Sequence, residues 1–221
     1  MNRSIVLALG LLALSASDGI AAPNQLLWGD THLHTSNSFD AFLNQNKSAD
    51  PHTAYMYAKG APVIHPGNRT RVQIGTPLDF LVVADHAEFY GAMRHAVQRG
   101  VPTDDLSLWD SGTASVTQWV LQFVSEWDYG REFFAALLPK PGSTPEEAAV
   151  KGPGIDVAAG DAMSRTMWHE AIRIADDHND PGNFPSLIGW EWSSIPAGAN
   201  LHRVVFTSAD ADVASQWQPF S

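Results

Sequence analysis

Apolar positions along the chain form a series of short strands. Residues 78–84 read LDFLVVA, a continuous apolar run with β-branched residues. Such a run predicts a strand buried on both faces, as in a parallel sheet. We expect further strands at residues 25–34, 187–192 and 201–206, and a hairpin within residues 63–74.

Between these strands the pattern predicts helices. Asp50 followed by Pro51 is typical of an N-cap and a first helical residue, and Gly60 would end that helix. Residues 89–99 and 163–174 also show helical character. The order strand, helix, strand, helical insert, strand, strand indicates an α/β fold.

Residues 100–159 separate the second of the main strands from the third, and they are far too many for a simple crossover. Apolar residues repeat at helical spacing within residues 116–127. We therefore expect a mostly helical insertion that forms a cap beside the site. Trp119, Trp127 and Trp168 fall on predicted helices, and we expect them in the core.

Residues 1–22 have the pattern of a secretory signal peptide. A short positive start precedes an apolar run, and small residues lead to a cleavage point after Ala21. An uncleaved membrane anchor is the alternative, but the run is shorter than the roughly 20 residues that a span needs. We expect a periplasmic or secreted protein, with no membrane segment after cleavage and residues 23–221 as its domain.

The amino-acid composition limits which ligands and partners the protein can have. The chain has no cysteine, which excludes disulfides, thiolate metal sites and cysteine nucleophiles. Its 13 basic and 24 acidic residues give a net charge of −11, which argues against general nucleic-acid binding. Any metal must therefore be held by His, Asp or Glu.

Candidate metal ligands lie at the ends of the predicted strands. His32 and His34 project from the same side of an extended chain, although two surface histidines would give the same pattern. His86 follows the buried strand, and His202 opens the last one. Glu191 is a lone carboxylate in an aromatic strand, where it needs a cation; Gly189 would leave room for one.

Four segments in order resemble the PHP (polymerase and histidinol phosphatase) superfamily, and most closely its secreted DUF3604-type branch: LWGDTHLHTSNSFDAF, PLDFLVVADHAEF, LIGWEWSS and NLHRVVF. The resemblance implies a distorted (βα)7 barrel with the helical insertion between the second and third strands. The superfamily pattern continues with a further His and an Asp-x-His, but this chain has no histidine after His202. We therefore expect an N-terminal fragment with an incomplete barrel; a natural chain with an incomplete site is the alternative.

The resemblance also implies roles for individual residues. Glu191 would bridge two ions and act in catalysis with Asp85, which would orient a ligand. Independently of the resemblance, Arg203 is a candidate to hold a substrate anion because it is next to His202. Glu88 is within reach of the strand end that carries His86, where it could orient a ligand or face the substrate, but we expect an exposed first-turn glutamate. Two or three divalent ions, Zn, Mn or Fe, would be bound by six residues: His32, His34, Asp40, His86, Glu191 and His202.

These expectations describe a metal-dependent hydrolase, most simply a phosphoesterase that uses a metal-activated water on a small-molecule ester or phosphoester. An amidohydrolase-like enzyme is one alternative, but it usually needs a modified lysine on a strand, and no lysine lies on a predicted strand. A non-catalytic metal-binding module or an inactive fragment is the other alternative.

Overall fold

The structure is a computed structural model that describes residues 26–102, 157–194 and 201–220, together with Ser115, Gln118, Trp119, Gln122 and Phe123, which are helical. The predicted signal peptide lies outside the described residues. Most of the predicted helical insert does so as well.

The strands agree with the apolar pattern. The predicted hairpin is confirmed, because β2 and β3 pair antiparallel. The other strands form one curled sheet in the order β1-β4-β5-β6. In chain order the strands are β1 (Gly29–Leu33), β2 (Val63–Ile64), β3 (Arg71–Val72), β4 (Phe80–Val83), β5 (Ser186–Ser194) and β6 (Leu201–Thr207).

Strand direction follows the prediction only in part. β4 lies between β1 and β5 and is parallel to both, which confirms the buried parallel strand. β6 is antiparallel to β5. Over the described ranges the fold is therefore α/β, with a four-stranded sheet that contains both parallel and antiparallel pairs. These residues do not by themselves form the (βα)7 barrel that the resemblance implied.

The helices cover the sheet. Asp50 caps α2 as predicted, since its side chain accepts a hydrogen bond from the Thr53 amide at 2.9 Å. α3 begins later than expected, because Phe89 (φ 52°) and Gly91 (φ 62°) adopt left-handed backbone that interrupts a helix. The described helices are α1 (Phe39–Leu43), α2 (Pro51–Ala58), α3 (Ala92–Arg99), α4 (Val157–His178) and α5 (Ala211–Ala214).

α4 carries the largest share of the core, packing against α2, α3 and β5. Met167 and Trp168 of α4 are buried with Leu81 of β4 and Ile188 of β5. Trp168 is therefore a core residue as predicted. The same prediction is wrong for Trp119, which is 65% exposed, and Trp127 lies outside the described residues.

No helix in the described ranges is both long enough and apolar enough to cross a bilayer.

Candidate metal centre

The sheet topology collects the candidate residues at one edge. Parallel strands β1, β4 and β5 end there, and they bring His34, His86 and Glu191 with them. Because β6 runs the opposite way, its first residues reach the same edge, where His202 pairs with Ser193 of β5. Ligand sites at the carboxyl ends of parallel strands are the rule in open α/β sheets.

Glu191 lies at the centre of the cluster and is 0% exposed. Its Oε2 is 2.9 Å from His32 Nε2 and 2.6 Å from His34 Nε2. Its Oε1 contacts His202 Nδ1 and lies 3.3 Å from Ser193 Oγ. The two oxygens thus face different histidines, which is the arrangement that a bridging carboxylate needs.

The six expected ligands come together in three overlapping groups of three. Within each group the potential ligand atoms all lie within 4.8 Å of one another. The groups share members, so neighbouring ions could share ligands. They are His32, His34 and Glu191; His34, Asp40 and His86; and His86, Glu191 and His202.

The chemistry of the cluster fits divalent metal ions. A buried carboxylate needs a positive partner, and the ion pairs found for Glu191 in the described part of the chain are all with histidines. Burial and the charge of nearby histidines lower the pKa of His32 and of His202, so both favour the neutral form that binds metal. A nitrogen and oxygen donor set without sulfur suits Zn, Mn or Fe.

Asp40 lies in the first turn of α1 and pairs with His34 through Oδ1 and Nδ1, 3.4 Å apart. Burial alone would lower the pKa of His34, but the hydrogen bond and charge of Asp40 outweigh it and raise the pKa. Burial alone would likewise raise the pKa of Asp40, and His34 lowers it instead. The pair therefore keeps Asp40 ionised, as a ligand must be, and favours the protonated form of His34, so an ion must displace that proton to bind His34.

Asp85 is fully buried and acts on the loop between β1 and α1. Its carboxylate accepts hydrogen bonds from Thr35 N at 2.5 Å, Thr35 Oγ1 at 2.7 Å and Ser38 Oγ at 2.9 Å. Burial nevertheless raises its pKa. The donors of these bonds belong to the loop and not to an imidazole. Asp85 therefore fixes the segment that carries His34 and Asp40, and does not orient a histidine ligand directly.

Arg203 is not brought into the cluster. It pairs with Trp192, and side chains alternate along a strand, so it lies on the opposite face of the sheet from Glu191 and His202. Its guanidinium Nη1 donates to the His202 carbonyl at 2.8 Å. The expected role in holding a substrate anion has no support from this placement.

Two residues at the cluster were not assigned to it from sequence. Glu88 is not exposed as expected: its side chain is 26% exposed, and its Oε2 lies 3.4 Å from His86 Nδ1. Ser193 is buried, with its hydroxyl 3.1 Å from the same nitrogen. Ser193 could have been found from the alternation in β5, which puts it on the face of Glu191.

Gly189 has a different role from the one expected. A Cβ there would lie 2.6 Å from Val82 Cγ1 and 2.8 Å from the Val205 carbonyl oxygen. The glycine therefore allows β4, β5 and β6 to pack closely; it does not make room for a cation beside Glu191.

Fold and site together define a mixed α/β protein whose sheet edge could hold metal ions. A family model described as "Protein of unknown function (DUF3604)" matches residues 21–221. Since this match covers most of the chain, the protein belongs to that family, as the resemblance implied at this level. Comparison with the curated proteins and with the solved structures gave no match.

Proposed function

We propose that this protein is a metal-dependent hydrolase acting on small phosphoesters, in line with the resemblance to the PHP superfamily. The observation that supports this most is the fully buried Glu191 carboxylate, which His32, His34 and His202 approach from two sides. A buried acidic group surrounded by imidazoles is a stable arrangement once divalent cations are bound.

In this proposal the six residues would serve as ligands at two or three ion positions. His32, His34 and Glu191 would hold one ion, and His202 with Glu191 would hold a second. Asp40 would contribute to a third on the side of His86. Ions held there would lower the pKa of water and stabilise negative charge on a phosphoryl oxygen.

The cluster is accessible to a small molecule. The side chain of His32 is 46% exposed and that of His202 is 37% exposed, whereas Glu191 is buried beneath them. Substrate can therefore reach the outer ligands, while the bridging carboxylate is shielded from water. With the signal peptide expected at residues 1–22, the reaction would take place in the periplasm or outside the cell.

Metal loading and hydrolysis measured together would test this proposal. The metal-free protein would be loaded in turn with Zn, Mn and anaerobic Fe, then assayed with an aryl phosphomonoester, a phosphodiester and a carboxylic ester. We expect metal-dependent turnover of a phosphoester that falls at least about 100-fold in His202→Asn, because a ligand is lost.

His65→Asn is the matched control, since His65 is an exposed histidine in the β2–β3 loop. It should retain full activity. Ion binding without turnover of any of the three substrates would instead identify a metal-binding module. Equal activity in the two variants would contradict the proposed site.

A further inference from the structure

His86 faces two of the metal groups with different nitrogens. Its Nε2 lies 3.8 Å from Asp40 Oδ2, and its Nδ1 lies 3.8 Å from Glu191 Oε2. A neutral imidazole has one protonated nitrogen and one free lone pair, so it can bind an ion on one side only. Which group receives His86 therefore depends on which nitrogen carries the proton.

Ser193 offers an acceptor to Nδ1. Its hydroxyl is 3.1 Å from His86 Nδ1 and 3.3 Å from both Glu191 Oε1 and His202 Nδ1. A hydroxyl has one proton and two lone pairs. The hydroxyl donates to Glu191 Oε1, so a lone pair remains to accept a proton from His86 Nδ1.

Glu88 offers a second acceptor to the same nitrogen. Its Oε2 is 3.4 Å from His86 Nδ1 and is buried, with no hydrogen-bond partner in the part of the chain that the structure describes. A carboxylate oxygen left in this state is costly unless a proton faces it. His86 is 7% exposed, so protein groups and not solvent decide its tautomer.

We propose that Ser193 and Glu88 are positioning residues that hold His86 with its proton on Nδ1. His86 then binds through Nε2, with Asp40, and leaves the group of Glu191 and His202 without an imidazole from this residue. That group would retain a position for water or substrate, as catalytic metal sites do. The assignment of the ion rests on the proposed function, whereas the tautomer does not.

The tautomer can be read directly by nitrogen NMR of the histidine rings. Metal-free protein labelled with ¹⁵N in its histidine rings would be compared with His86→Asn, in which the signals of residue 86 disappear. At a pH where His86 is neutral, we expect Nδ1 to be the protonated nitrogen and Nε2 the bare one. A proton on Nε2 would overturn the proposal.

Variants test whether these two side chains set the tautomer. In the double variant S193A/E88A we expect a mixture of tautomers and an affinity for Zn²⁺ about 10- to 100-fold weaker, as is typical when such orienting groups are lost. S193T and E88Q keep a hydroxyl and a carbonyl oxygen, so each should retain the wild-type tautomer. A double variant that folds, by circular dichroism, and keeps Nδ1 protonated would overturn the proposal.

The experiments distinguish failure of this inference from failure of the proposed function. The NMR measurement needs neither metal nor substrate, so it remains decisive if hydrolysis is absent. Conversely, a protein that hydrolyses phosphoesters with His86 protonated on Nε2 would leave the function standing and remove the inference alone.

Discussion

Asp85 shows how one buried residue fixes the position of others. Its carboxylate receives three hydrogen bonds from the loop that carries His34 and Asp40. We predict that Asp85→Ala lowers the free energy of unfolding by about 2–4 kcal/mol, because buried donors are left without acceptors. Urea unfolding would measure this loss.

Asp210→Ala is the comparison for that change. Asp210 accepts one hydrogen bond, from Val213 N at the start of α5, in an exposed setting. Loss of such a cap costs about 1 kcal/mol. A loss for Asp85→Ala no larger than for Asp210→Ala would contradict the structural role given to Asp85.

The sequence was sufficient to predict the positions of some site residues but not of others. His32 and His34 follow from strand alternation, and Glu191 from a charge in an apolar strand. Glu88 is within reach of the strand end that carries His86, but it was expected to be exposed in the first turn of a helix that in fact begins only at Ala92. Arg203 was placed beside His202 in sequence, although alternation along β6 puts the two on opposite faces.

At the scale of the elements, a histidine pair joins α2 to the end of α4. His178 Nε2 is 2.9 Å from His52 Nδ1, and the ring of Tyr55 stacks on His178. Burial, then the charges of Lys59 and His52, lower the pKa of His178 below its usual 6.5. The unfolded chain therefore takes up a proton first as the pH falls.

This contribution to stability is complete above pH 6.5 and is lost as the pH falls through the lowered pKa of His178. We predict that His178→Gln reduces the loss of stability on acidification relative to wild type, as measured by urea unfolding across a pH series. Parallel pH profiles for wild type and His178→Gln would refute this prediction.

The contact between α3 and α4 depends on Gly91. A Cβ there would lie 2.5 Å from Met167 Cβ, and the residue has φ 62°. We predict that Gly91→Ala costs about 1–3 kcal/mol of folding free energy through crowding and backbone strain. Gly75→Ala, with no atom within 4 Å of the added Cβ, should change thermal stability little. Equal melting temperatures for the two variants would show that α3 can shift away.

Most elements were predictable because local patterns determine them. The apolar run of β4 and the Asp50 cap of α2 need no tertiary information. The direction of β6 was not predictable, since an antiparallel partner depends on how the preceding connection turns. Burial of Trp168 likewise depends on which face of α4 meets the sheet.

At the scale of the whole molecule, the cluster exists only when distant parts of the chain are folded together. His32 lies on β1 and His202 on β6, the two outer strands of the sheet, and Glu191 of β5 lies close to both. Ion binding at such a site is coupled to folding, because the unfolded chain has no preformed site. A net charge of −11 also favours the approach of cations.

The most direct test is the metal content of the purified protein with and without the Glu191 carboxylate. Wild type, Glu191→Gln and Glu170→Gln would be incubated with Zn²⁺, desalted and measured by elemental analysis. Glu170 of α4 is the control because it pairs with Arg99 of α3 and belongs to none of the three groups of metal-ligating residues. We predict at least about one tightly bound ion in wild type and in Glu170→Gln, and little metal in Glu191→Gln. Equal metal content in all three, or none in wild type, would contradict the metal centre.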